Sequence, residues 1–111
     1  MGCLLLRNRE FVSRLAKLRN NKKQLIKLIK ISKPAEINSL SELALNILNG
    51  NVPCSNNRKR ILKKHLQSLR LVGDRKFPNK SKKKLLMKGN GFFLSTLIPI
   101  AISTIAGLLK R

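Results

Sequence analysis

Residues 38–50, with the sequence NSLSELALNILNG, carry the clearest helix pattern in the chain. Ser39 is followed three positions later by Glu42, which is the spacing of a capping box. Apolar residues then recur on one helical face, at Leu40, Leu43, Ala44, Ile47 and Leu48. Gly50 stands where a glycine commonly ends a helix. The pattern predicts a capped, nearly neutral helix that packs inside a small all-α fold.

Charge is distributed unevenly on both sides of this helix. The 111 residues carry 25 Lys and Arg against four Asp and Glu, a formal net charge of +21. Basic residues crowd segments 1–33 and 58–88 and are absent from segment 34–57. Self-repulsion at this charge disfavours a compact chain unless a polyanion neutralises it. The layout therefore indicates an anionic partner, either a nucleic acid or an anionic membrane surface.

A basic amphipathic helix is predicted before the neutral one, over residues 11–31. Its apolar stripe is interrupted by Lys22, and the helix is either continuous or broken at Asn20-Asn21. Lys33 precedes a proline, a position that avoids helical backbone, so the helix should end there. The stripe consists of Phe11, Leu15, Leu18, Leu25, Ile26 and Ile29.

A second basic helix is predicted after the neutral one. Ser55 or Asn57 can cap it, and the apolar spacing continues to about Leu71, where Gly73 would close the helix. Its apolar face consists of Ile61, Leu62, Leu66 and Leu69.

The expected organisation is all-α, with two or three short basic amphipathic helices. Segment 1–33 holds the first basic helix, and segment 34–73 holds the capped neutral helix and the second basic helix. Segment 74–90 is basic and polar enough to predict a flexible linker. Segment 91–111 is apolar, and we expect its helix to bend at Pro99.

The residue types argue for phosphate contact and against catalysis. Four scattered carboxylates, with no metal-ligand spacing, predict no enzyme, no cofactor and no metal site. The absence of Trp and Tyr disfavours stacking on unpaired bases, and so a role as an RNA-associated protein. Lysine outnumbers arginine, which favours sequence-independent contact with duplex DNA over base recognition. The candidate phosphate contacts are Arg14, Lys17, Lys22, Lys23, Lys27, Lys30, Arg58, Lys59, Arg60, Lys63, Lys64, Arg70, Lys80, Lys82, Lys83 and Lys84.

The apolar tail is long enough to cross a bilayer, because residues 91–109 carry no charge and a spanning helix needs roughly 17–25 residues. Pro99 and several hydroxyl residues weaken a true span. Insertion into a membrane interface is an equal alternative, and a buried core helix ranks third. The candidate insertion residues are Phe92, Phe93, Leu97, Ile98 and Ile102.

The tail GFFLSTLIPIAISTIAG, residues 91–107, resembles the carboxy-terminal segment of the adenovirus core protein X (pre-mu) family, including the X-like proteins of Polinton and adintovirus elements. The matching residues are Gly91, Phe93, Leu94, Leu97, Ile98, Pro99, Ile100, Ala101, Ile105, Ala106 and Gly107. In that family a basic region also precedes the tail. The resemblance covers the last fifth of the chain, and the basic region here is longer and richer in lysine than in the adenoviral peptide. It implies a DNA-condensing protein of the virion core and host nucleus, with double-stranded DNA and capsid proteins as partners.

The resemblance also implies a protease site before the tail. Adenovirus-type cysteine proteases favour an aliphatic residue or Met, then any residue, then Gly and any residue, with cleavage before a further Gly. Residues 87–91, MKGNG, fit through Met87, Gly89, Asn90 and Gly91. The implied cut lies between Asn90 and Gly91, and we expect the glycines to keep the backbone extended there. The alternative function is a small membrane-active or tail-anchored protein that inserts residues 91–109.

Overall fold

The computed structural model describes residues 3–52 and 54–109, and in this part of the chain it is helical and contains no strand. The all-α prediction is therefore confirmed. The helices are α1 (Cys3–Arg7), α2 (Arg9–Lys17), α3 (Lys22–Ile31), α4 (Pro34–Leu48), α5 (Asn56–Lys64), α6 (Leu66–Gly73) and α7 (Asn79–Leu109).

Helix α4 is the neutral helix, but it begins earlier than the sequence pattern predicted. Pro34 opens it, because a proline is pre-organised for the first helical position and has no N–H to leave unpaired. The backbone N–H of Lys33 donates to Glu36 Oε1 at 2.8 Å, so the Glu36 side chain caps the N-terminus of α4. Ser39 is buried within the helix, where its Oγ donates to the Glu36 carbonyl oxygen at 2.6 Å. The capping box at Ser39 and Glu42 was therefore wrong.

The C-terminus of α4 follows the prediction. The helix ends at Leu48, Asn49 is its C-cap, and Gly50 adopts φ of +73°, the left-handed conformation that glycine tolerates best.

The first basic segment folds as two helices. α2 and α3 are separated at residues 18–21, and the Asn21 side chain caps α3 by accepting a 3.3 Å hydrogen bond from the Gln24 backbone N–H. Lys22 is therefore the first residue of a new helix and is exposed, so it no longer interrupts an apolar stripe. Of the two alternatives, the break near Asn20-Asn21 is the one observed.

The second basic segment is also divided. Ser55 is its N-cap, as predicted, and its Oγ accepts from the Arg58 backbone N–H at 3.3 Å. The helix breaks at His65, which separates α5 from α6. Gly73 is the last residue of α6, where a Cβ atom would stand 3.3 Å from the backbone nitrogen of Leu45. A residue without a side chain thus lets α6 approach the backbone of α4.

The expected flexible linker is helical from Asn79 onward, so that part of the domain prediction is corrected. Helix α7 bends by 106° between an N-terminal arm, Asn79–Gly89, and a C-terminal arm, Phe93–Leu109. Gly89 and Gly91 have φ of +62° and +77°, values that side chains with a Cβ rarely adopt. The 106° bend therefore lies at these glycines and not at Pro99, which is inside the C-terminal arm.

The C-terminal arm of α7 contributes residues to both apolar clusters of the fold. It contributes to the larger apolar cluster, which includes Phe11, Leu15, Leu25, Ile29, Ile37, Leu40, Leu69, Val72, Leu86, Phe93, Leu94, Leu97 and Ile98. It also contributes to the smaller cluster, which includes Leu5, Val12, Leu43, Val52, Leu62, Ile100, Ala101 and Ile105. Helices α2 and α4 also contribute to both clusters, so the two clusters join the basic helices to the apolar arm of α7.

Candidate nucleic-acid interface

Helix α5 has the highest density of outward-facing positive charge. Leu62 is its one buried residue among those the structure describes, at 7 % exposure. Like charges four positions apart, Lys59 with Lys63 and Arg60 with Lys64, destabilise a helix by about 0.2–0.5 kcal/mol per pair. These four side chains are exposed, so an anion bound along α5 would relieve a repulsion that the fold leaves uncompensated.

The candidate contacts of α2 and α3 are exposed as well. They are Arg14, Lys17, Lys22, Lys23, Lys27 and Lys30, and Arg70 is exposed on α6. Arg58, at the start of α5, is half-buried. Across residues 3–52 and 54–109 these basic side chains form no ion pair with a carboxylate. Their charge is thus available to an external anion.

Lys80 and Lys84 are exposed on the N-terminal arm of α7, whereas Lys82 faces inward at 2 % exposure. The Lys82 ammonium donates to Ser41 Oγ at 2.9 Å, so this lysine joins α7 to α4. Its assignment to the phosphate-binding set is corrected, because a buried ammonium cannot reach a duplex at the surface.

Lys82 borders a pocket of about 380 Å³ that α1, α4, α6 and α7 enclose, and its lining combines apolar residues such as Leu4 and Leu45 with polar ones such as Asn38, Glu42 and Arg75. Burial lowers the pKa of Lys82 from its usual 10.5, because desolvation disfavours the charged form, and the carboxylate of Asp74 partly opposes that shift. Glu42 Oε1 is buried and has no hydrogen-bond partner among residues 3–52 and 54–109. The volume of the pocket is large enough for water to reach both groups.

Lys83 is half-buried, and its side chain binds the C-terminal end of α3. Its ammonium donates to the carbonyl oxygens of Lys30 at 3.1 Å and Ser32 at 2.8 Å. A cation at a helix C-terminus satisfies carbonyl groups that lack intrahelical partners and complements the helix dipole. Two of its three N–H donors are thus already used, and its place in the phosphate-binding set is corrected to a structural one.

The candidate protease site lies at the bend of α7. Gly89 is exposed, but Gly91 is buried, and a Cβ atom there would stand 3.4 Å from Leu25 Cδ2. Met87 is half-buried and packs against the larger cluster. The side chain of Asn90 lies outside the described residues. The expectation of an extended strand is wrong here, because the positive φ values of Gly89 and Gly91 turn the chain between two helical arms.

The candidate membrane residues mostly lie in the protein core. Phe93, Leu97 and Ile98 are buried, and Ile102 is 38 % exposed. The side chain of Phe92 lies outside the described residues. No single helix of 3–52 and 54–109 is long and apolar enough to cross a bilayer, although the two arms of α7 together would suffice by length and composition as a bent pair. The alternative ranked third, a core helix, describes this arm.

The role of Lys82 was missed, although the sequence contained a pattern that could have indicated it. Lys82 precedes the fully buried Leu86 by four positions, and residues so spaced share a helix face. The expectation of a linker over 74–90 prevented that pattern from being applied.

Comparisons of the chain with protein-family models, curated proteins and solved structures find no match.

Proposed function

We propose that this chain is a virion core protein of an adenovirus-like or Polinton-type element, which binds and condenses double-stranded DNA without sequence preference. Lys and Arg contacts with phosphate would supply the affinity. The observation that carries this proposal is the unpaired, exposed charge of α5, with Lys59, Arg60, Lys63 and Lys64 on one short helix. The resemblance of the tail to pre-mu supplies the biological setting.

The size of the protein supports a duplex as the anion. Its longest dimension is 32 Å, and duplex DNA carries one phosphate charge per ~1.7 Å of axis. A body of that length covers roughly 19 phosphates, which is close to the formal charge of +21. Exposed cations on α2, α3, α5 and α6 could contact more than one duplex, as condensation requires.

Salt dependence tests this function. The full chain is titrated onto two duplexes of unrelated sequence between 50 and 200 mM salt, and condensation is followed by light scattering. For about ten phosphates neutralised, log K should fall with log salt at a slope of about −9, equally for both sequences. Binding that is insensitive to salt would overturn the proposal.

We also propose that the chain is a precursor cut between Asn90 and Gly91. The exposed Gly89 at the bend gives a protease its point of approach. Because Gly91 is buried between helical arms, cleavage requires the bend to open first. Incubation with an adenovirus-type cysteine protease, followed by mass spectrometry, should detect the 91–111 peptide. An intact junction in a chain unfolded by mild urea that the protease tolerates would contradict the proposal.

A membrane role is the second candidate, favoured by the bent pair of arms in α7. Insertion would have to withdraw Phe93, Leu97 and Ile98 from the core. Flotation with anionic liposomes of the full chain and of a truncation after Asn90 separates the candidates. Equal flotation of the two proteins would show that the tail does not contribute to membrane binding.

A further inference from the structure

An apolar groove lies on the surface between α4, α5 and α6, and we call it the α4–α6 groove. Its lining includes Ile47 of α4, Leu62 of α5 and Leu66 of α6. Leu62 is nearly buried, whereas Leu66 is 37 % exposed, so the groove opens to solvent. Lys59 and Lys63 also line the groove, and both are exposed. The groove thus has an apolar base and positive charge on one side.

The size of the groove favours side chains of a partner as its occupants. Its volume is about 230 Å³, which is below the roughly 300–1,000 Å³ typical of small-molecule pockets. The inserted apolar side chains of an amphipathic helix, by contrast, need only a shallow apolar channel.

Charge selects the kind of partner. The described lining contains no carboxylate, and Lys59 and Lys63 would attract acidic residues beside the apolar anchors. A second copy of this chain would bring its own charge of +21 against the same surface. Duplex DNA presents mainly phosphates and polar base edges, which would not fill an apolar channel.

We propose that the α4–α6 groove binds an acidic amphipathic helix of a partner protein. Its apolar side chains pack on Leu62 and Leu66, and its carboxylates pair with Lys59 and Lys63. This inference does not rest on the proposed function. Because the same lysines belong to the candidate DNA interface, the acidic helix and duplex DNA compete for α5 if both bind.

The probe is a synthetic 16-residue peptide with leucines at helical positions i, i+3, i+4 and i+7 and glutamates elsewhere, labelled with fluorescein. A peptide of the same composition in scrambled order controls for charge attraction alone. Anisotropy at 150 mM salt should show the patterned peptide binding at least about tenfold more tightly, since losing the burial of one leucine weakens binding by that order.

Two pairs of matched variants test the apolar and the charged parts of the groove. Leu66→Ser should weaken patterned-peptide binding about tenfold. Ile61→Ser, at a residue that is equally exposed on α5 but outside the groove, should leave it within about twofold. Lys63→Gln should weaken it more than Lys64→Gln. All four side chains are partly or fully exposed, and circular dichroism confirms that each variant is folded.

Three results of the peptide titrations would overturn the inference. The first is equal affinity for patterned and scrambled peptides, the second is equal loss at Leu66 and Ile61, and the third is no binding of the patterned peptide. Self-association of the free chain that Leu66→Ser abolishes in analytical ultracentrifugation would also overturn it, because a second copy would then occupy the groove.

Discussion

The ammonium group of Lys82 donates a 2.9 Å hydrogen bond to Ser41 Oγ and joins the N-terminal arm of α7 to α4. Ser41 Oγ also lies 3.2 Å from the Ile37 carbonyl oxygen, to which it donates. The serine therefore keeps a partner when the lysine is removed, whereas the lysine holds its charge in a site with 2 % exposure. In a chain crowded with cations, this one costs stability at neutral pH because it is desolvated.

Lys82→Met should therefore raise the free energy of unfolding at pH 7. The pKa of Lys82 is lowered in the folded state, so the unfolded chain binds more protons between that pKa and 10.5, and wild-type stability rises with pH in this window. The advantage of the variant should shrink from pH 7 to pH 10. Urea unfolding at both values measures it, with the exposed Lys80→Met as control. An advantage that grows with pH would contradict the assignment.

The double variant Lys59→Gln/Lys63→Gln should reduce the salt dependence of DNA binding. Each lost phosphate contact lowers the slope of log K against log salt by about 0.9, so the pair should lower it by about 1.8. Lys82→Met removes one charge from a buried position and should leave the slope unchanged. Gel shifts across the salt series compare the three proteins. If Lys82→Met lowered the slope of log K against log salt by about 0.9, the value for one exposed phosphate contact, the division between surface and structural lysines would be refuted.

Leu97→Ala should destabilise the fold by about 2–5 kcal/mol, because Leu97 is fully buried and truncation leaves a cavity. Ile102→Ala is the matched change on the same arm, at a residue 38 % exposed, and should cost less than about 1 kcal/mol. Urea unfolding measures both. Similar costs at the two positions would show that the arm is not packed as the structure places it.

Helical spacing predicted most of the elements, because local apolar periodicity and capping residues act within a few positions. Ser55 and Gly50 are examples. The errors arose where tertiary packing decided the result. The burial of Lys82 could not be predicted from its neighbours in sequence, because its hydrogen-bond partner Ser41 is 41 positions away in the chain. The tail has the composition of a membrane segment, and it is the apolar residues of the other helices, such as Leu5, Phe11 and Leu40, that give it a protein environment instead.

Gly91→Ala should destabilise the protein by about 1–2 kcal/mol, because alanine at φ of +77° adopts the left-handed conformation. Gly107→Ala is the control, since Gly107 is helical with open space around it, and alanine there should stabilise by about 0.5–1 kcal/mol. Thermal unfolding compares the pair. If both substitutions changed the stability in the same direction, the positive φ of Gly91 would not be what positions the two arms of α7.

Truncation after Asn90 should unfold the remaining chain, because it removes Phe93, Leu94, Leu97 and Ile98 from the larger cluster and three further residues from the smaller one. Fragment 1–90 should lose most of its helical circular dichroism and its cooperative urea transition. A truncation before Gly107 is the control and should retain both, because Gly107 and Leu109 are exposed and Leu108 is half-buried. Duplex DNA should restore helicity to fragment 1–90, because phosphates neutralise the like charges that separate its helices. A fragment that keeps a cooperative transition without DNA would show that the tail is dispensable for folding, and the tail would then be free to act elsewhere before any cleavage.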